Sequence, residues 1–100
     1  MMKIILACSA GMSTSLLVTK MQEAAKEKGV DCEIWDISEV NLQSEIEKCD
    51  VLLLGPQVRF LKDNIAEKVN MPVIVIDTMD YGMLNGTKVL VNALAEMKGE

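Results

Sequence analysis

Cys8 opens a run of small and hydroxyl-bearing residues, Cys8-Ser9-Ala10-Gly11-Met12-Ser13-Thr14-Ser15, between a short apolar stretch and an amphipathic one. A thiol at the end of a strand, followed by a tight loop that enters a helix, is the arrangement of a nucleophile loop. Successive backbone N–H groups at the positive end of a helix form a cradle for an anion, and hydroxyls at Ser9, Ser13, Thr14 and Ser15 add donors. The same field favours thiolate over thiol, and helix N-termini lower a cysteine pKa from about 8.5 into a range of roughly 3.5 to 7.5. Gly11 suits a positive φ or a close backbone approach, Ala10 leaves a ligand room, and no Asp or Glu stands in the loop to repel phosphate. The chemistry implied is nucleophilic: Cys8 takes up a phosphoryl group, and Ser9, Ala10, Gly11, Met12, Ser13, Thr14 and Ser15 bind it. An isolated strand-end cysteine is more often a packing residue, and the polar loop and helix that follow are what set Cys8 apart.

The rest of the composition narrows the options. The chain has no histidine, which removes Cys-His and Ser-His dyads, phosphohistidine within this chain and most zinc sites. Neither a metal nor a cofactor is expected. A formal charge of −5 with dispersed Lys and Arg argues against nucleic acid and leaves proteins or small molecules as partners. Cys8, Cys32 and Cys49 are an odd set without paired spacing, so neither a disulfide framework nor a zinc motif is indicated. Cys32 and Cys49 are read as packing residues. No run approaches the ~18 apolar residues of a membrane helix, and a cytoplasmic location is expected. With only three aromatic residues, aliphatic side chains and the eight methionines are expected to fill the core.

The elements that must position Cys8 follow from hydrophobic periodicity. Lys3-Ile4-Ile5-Leu6-Ala7 is an unalternating apolar run, as in a central parallel strand covered on both faces. A helix from residue 13 or 14 to 28 carries Leu17, Met21 and Ala24 on one stripe and ends at Gly29. Val30 to Asp36 alternates, with Val30, Cys32 and Ile34 on one face, as in a strand nearer the edge. A short polar helix is expected over Leu42 to Lys48, then a buried strand Val51 to Leu54 that breaks at Gly55-Pro56. Val58, Leu61, Ile65 and Val69 form a third helical stripe, Val73 to Ile76 a fourth strand, and a loop from Asp77 leads to a last helix with Val89, Leu90, Ala93, Leu94 and Met97. Strands alternating with helices imply one α/β domain over residues 1–100: a doubly wound, four-stranded parallel sheet of order 2-1-3-4 with helices on both faces. Ligands bind such sheets beyond the carboxyl ends of the strands where the connections diverge, here between strands one and three, where Cys8 stands.

Gly55-Pro56-Gln57 should therefore lie beside the Cys8 loop, with Gln57 either a donor to phosphate or part of a plain turn. Asp80-Tyr81-Gly82 reads as an exposed turn on the rim of the site with Tyr81 partly packed; Asp80 or Tyr81 as a proton donor is the alternative.

Together, the Cys8 to Ser15 segment, Gly55-Pro56-Gln57-Val58 and Asp80-Tyr81-Gly82 resemble the enzyme IIB components of the lactose/cellobiose (chitobiose) group of sugar phosphotransferase systems, over essentially the whole chain. The resemblance implies that Cys8 receives phosphate from a phosphohistidine of enzyme IIA and passes it to a sugar, such as cellobiose, lactose or chitobiose, held by the membrane component enzyme IIC. It implies a carrier that associates transiently with the membrane through enzyme IIC; the small size favours a monomer. The architecture also resembles that of low-molecular-weight tyrosine phosphatases, which carry an Arg six positions after their cysteine. Position 14 here is Thr, and the single Arg of the chain is Arg59. A guanidinium stabilises the transition state of hydrolysis, so its absence suits a carrier. A non-enzymatic anion- or protein-binding domain on the same fold is the third reading.

Overall fold

Ile4, Ile5, Leu6 and Ala7 have no polar member, so the strand they form is stable only when both faces are covered, and all four are fully buried. In the computed structural model, which describes residues 2–8, 14–38 and 41–97, they belong to strand β1 (Met2–Cys8). The chain continues through α1 (Thr14–Lys28), β2 (Cys32–Ser38), α2 (Leu42–Glu45, extended by a 3-10 turn to Lys48) and β3 (Val51–Leu54). A 3-10 segment, Pro56–Leu61, leads into α3 (Lys62–Ala66), followed by β4 (Val73–Val75), α4 (Thr78–Gly82) and α5 (Gly86–Met97). The strands make one sheet of order β2-β1-β3-β4, with every pairing parallel. The doubly wound order expected from the sequence is the one observed.

Side-chain alternation along β1 divides the core into two layers. Ile4, Leu6 and Cys8 meet Leu17, Met21 and Ala24 of α1 and Val89, Leu90 and Ala93 of α5. Ile5 and Ala7 point the other way, to a layer with Leu42, Cys49, Leu52, Leu54 and Val58. On the first face α5 packs tightly on α1: a Cβ at Gly86 would lie 2.6 Å from the Lys20 carbonyl carbon, so only glycine permits the approach.

Several local expectations are corrected. Strand β2 starts two residues later than Val30, because Gly29 (φ 70°) and Val30 close α1: their N–H groups donate to the carbonyls of Lys26 and Ala25. Val30 is thereby helix cap, and the strand runs on to Ser38. The third helical stretch is interrupted: Pro56 starts a 3-10 turn, Val58 (φ −118°, ψ 23°) drops into the core, and only Lys62–Ala66 is α-helical, short of Val69. The segment after Asp77 is no loop and no exposed turn. It is helix α4, in which Asp80 and Tyr81 are buried. Nor are the methionines uniformly core: Met21 is fully buried, whereas Met79 and Met83 are 68% and 74% exposed.

Candidate functional site

Cys8 is the last residue of β1, in register with Ser38 of β2. The alternation that buries Ile4 and Leu6 sends its side chain into the α1/α5 layer, where it is 4% exposed. On the other side β3 ends at Leu54, opposite Ala7, and the Gly55 N–H donates to the Ala7 carbonyl at 2.8 Å. That bond draws the chain close to the sulfur. A Cβ on Gly55 would sit 3.4 Å from both Cβ and Sγ of Cys8 and 3.0 Å from Oε1 of Gln57. A side chain at position 55 would thus rest against the Cys8 sulfur and displace the Gln57 amide, a contact that the reading of Gly55 as a strand breaker did not capture; its place next to Pro56 and Gln57 was the available signal.

Two side chains converge on the sulfur. The 3-10 turn begun by Pro56 brings Gln57 back so that its Oε1 lies 3.8 Å from the Cys8 thiol, which donates to it. Tyr81 arrives from the far side of the chain, its hydroxyl oxygen 3.4 Å from Cys8 Sγ. The carboxylate of Asp77 caps α4 by accepting from the N–H groups of Met79 and Asp80, and this fixes the helix phase. Tyr81 then points inward while Met79 and Met83 face solvent. The next helix is tied on directly: Asp80 accepts the Asn85 N–H through its carbonyl and pairs with Lys88 Nζ at 3.7 Å through its carboxylate.

Of the expected phosphate-binding loop, Ser9, Ala10, Gly11, Met12 and Ser13 lie outside the described residues. Thr14 is the first residue of α1, and the Ser15 hydroxyl donates to Asp36 at 3.3 Å, across to β2. The first turn of α1 contains no acidic residue. Among the described residues no cluster of His, Cys, Asp or Glu could hold a metal ion.

Cys32 and Cys49 differ from Cys8 in surroundings. The Cys49 thiol is pushed up to about 11 by burial and by the neighbouring Asp50, and it donates to the Ile46 carbonyl at 3.2 Å. Burial, with Asp31, raises Cys32 as well. Both are poor thiolates at neutral pH, in keeping with packing roles. Because the folded protein holds the Cys49 proton more tightly than the unfolded chain, whose thiol titrates near 9, its contribution to stability is intact below pH 9 and is lost as pH rises towards 11. Urea midpoints at pH 8 and pH 10.5 should therefore fall less steeply in Cys49→Ser than in the unaltered protein; equal slopes would dismiss the linkage.

A groove of about 730 Å³ is bounded by Cys49, Ile65 and Met71 at the opposite ends of the strands from Cys8. A shallower one of about 510 Å³, lined by Pro56, Gln57, Arg59, Phe60 and Thr78, adjoins Cys8 through Gln57. Phe60, not singled out from the sequence, is 74% exposed there.

The chain and its fold have counterparts among known proteins. Residues 3–92 match the family model described as "PTS system, Lactose/Cellobiose specific IIB subunit". The oligo-beta-mannoside-specific EIIB component of Bacillus subtilis (strain 168) is 48% identical, with 97% of each chain covered. The galactose-specific EIIB component of Lactococcus lactis subsp. cremoris (strain MG1363) is 51% identical over 90% of this chain and 91% of its own. Among solved structures, the cellobiose-specific phosphotransferase IIB component of Borrelia burgdorferi superposes with a TM-score of 0.80 at 40% identity, covering 98% of this chain and 93% of that one. The lactose-specific IIB domain of Streptococcus pneumoniae, at 20% identity and a TM-score of 0.82, shares the fold over 93% of this chain and 94% of its own. A strand-end cysteine at the β1/β3 crevice of a four-stranded parallel sheet, in a chain matched over nearly its whole length, makes this protein a member of the lactose/cellobiose-specific IIB family, a sugar-specific phosphotransferase system component that works with IIA and IIC partners.

Proposed function

We propose that the protein carries phosphate on Cys8, from a phosphohistidine of enzyme IIA to a sugar held by enzyme IIC. The observation that carries this reading is the placement of Cys8 at the carboxyl edge of the sheet, between β1 and β3, with Tyr81 and Gln57 against its sulfur. In the first half-reaction the thiolate attacks phosphorus, the S–P bond forms, and the P–N bond breaks with its electron pair passing to the imidazole of the donor. In the second, a sugar hydroxyl attacks, the P–S bond breaks, and the pair returns to sulfur. This chain has no histidine, so the proton of the hydroxyl is assigned to a base on the membrane partner.

The relatives' names include oligo-beta-mannoside and cellobiose, which support a β-linked oligosaccharide as the final acceptor, and galactose, a monosaccharide, which supports a sugar more broadly. No helix among the described residues is long and apolar enough to cross a membrane. In the carrier reading the protein meets the membrane by docking on enzyme IIC from the cytoplasmic side, as a monomer. Leu16, Phe60, Met79 and Met83 are exposed on α1, the 3-10 segment and α4, all elements that follow the carboxyl ends of strands, and supply apolar surface for such docking. Mass spectrometry after incubation with phosphorylated enzyme IIA should find one added phosphate, on Cys8; phosphate on a Ser, Thr or Asp, or none, would reject the carrier reading.

A further inference from the structure

The phenolic oxygen of Tyr81 and the sulfur of Cys8 are 3.4 Å apart, and both groups are buried. We propose that Tyr81 is a catalytic residue of the phosphoryl relay, donating a hydrogen bond from its hydroxyl that stabilises the Cys8 thiolate when it attacks and again when it leaves. The assignment rests on the carrier reading above.

The sense of the bond follows from chemistry. A phenol has an ordinary pKa of about 10 and keeps its proton at neutral pH, whereas an ionised sulfur has none to give. With Cys8 as thiolate, the contact can only be O–H donating to sulfur, and a hydrogen bond to a charged partner is stronger than one to a neutral group. Gln57 behaves differently. Its Oε1 accepts from the thiol, and ionisation removes that proton. Being exposed, the Gln57 amide can turn to present its N–H₂ group, so it adapts to either state, while Tyr81 serves the ionised one.

Rigidity makes the tyrosine effective. Helix α4 is held at its start by the Asp77 cap and at its end by the bond from the Asn85 N–H to the Asp80 carbonyl, so the hydroxyl is aimed before reaction begins. The neighbouring charges are engaged elsewhere: Asp36 accepts from Ser15, Asp77 caps α4, Asp80 pairs with Lys88, and Arg59 is exposed. As sulfur bonds to phosphorus its negative charge falls and the hydrogen bond weakens; as the P–S bond breaks the electron pair returns and the bond strengthens. Tyr81 keeps its proton throughout, so no acid or base is consumed on this side.

The test is Tyr81→Phe, which keeps the ring and removes the donor. Alkylation by iodoacetamide, followed against pH and assigned to the Cys8 peptide, should show the apparent pKa of Cys8 raised by about one unit or more, as expected for loss of a charge-assisted bond. Phosphate uptake from enzyme IIA should slow only by the fraction of thiolate lost at the assay pH, whereas transfer from phosphocysteine to sugar, in which sulfur leaves as an anion, should slow about tenfold in kcat with KM unchanged. An unaltered alkylation profile in the folded variant overturns the proposal. Should the variant fail to fold, the unaltered protein answers the question, because Tyr81 is its single tyrosine. Its phenolic carbon resonance should shift in step with Cys8 ionisation and lose that step in Cys8→Ser; a flat response overturns the proposal equally. Failure of Cys8 to take phosphate would instead reject the carrier reading, and that result is distinct from either thiolate measurement.

Discussion

Cys8→Ser should accept no measurable phosphate from phosphorylated enzyme IIA and pass none to sugar, while keeping its fold. A serine hydroxyl is almost wholly protonated at neutral pH, and this chain has no histidine to draw off the proton, whereas a cysteine thiol ionises far more readily. Removing a covalent nucleophile can cost on the order of 10⁶-fold in turnover, so the residual rate should lie below detection. The fold should survive because serine is close in size and its hydroxyl can use the same partners, Gln57 and Tyr81. Cys32→Ser and Cys49→Ser should retain transfer, since neither thiol approaches the crevice and burial raises the pKa of both. The measurement is sugar phosphate formed in a reconstituted system, with circular dichroism as the folding control. Continued transfer by folded Cys8→Ser would show that another atom carries the phosphate.

The phosphoprotein, once formed, should persist in water long enough to be isolated, and the free protein should turn over aryl phosphates negligibly. Hydrolysis through a phosphocysteine needs a group that follows charge onto the equatorial phosphoryl oxygens, and losing such an electrostatic contact costs on the order of 10²-fold to 10³-fold in rate. Thr14 occupies the position where low-molecular-weight phosphatases carry Arg, and a hydroxyl lacks both the charge and the two-pronged donor geometry. Arg59, the chain's single guanidinium, is exposed in the 3-10 segment beside Phe60 rather than in the loop after Cys8. Transfer should accelerate only when the membrane component sets a sugar hydroxyl in line with phosphorus, because positioning supplies much of the catalysis in phosphoryl transfer. Rapid p-nitrophenyl phosphate hydrolysis, lost in Cys8→Ser, would make the protein a phosphatase.

The architecture was legible because its determinants are local. An apolar run without alternation, Ile4 to Ala7, announces a strand covered on both faces, and Gly29 announces the end of α1, since each depends on residues within a few positions. Strands separated by helices then leave few topologies, and the order 2-1-3-4 is the one found. The same logic proposes a nucleophile at Cys8, where loop, helix and strand end are adjacent in sequence. What periodicity could not reach was the environment of the sulfur. Gln57 and Tyr81 are 49 and 73 residues away from it, and only the parallel sheet, which lines up the carboxyl ends of its strands, brings them together. Asp80-Tyr81-Gly82 looks like a turn by composition, but the Asp77 cap and the space above Cys8 fold it into α4 and bury the ring. The third helix likewise has an intact apolar stripe on paper and is broken in fact, because Pro56 starts a tight turn and the core beneath it takes Val58. The sequence alone therefore determined the scaffold and the strand end at which Cys8 is proposed to react; the tertiary structure decided which groups touch that sulfur, because contacts between distant segments depend on packing that no local pattern records.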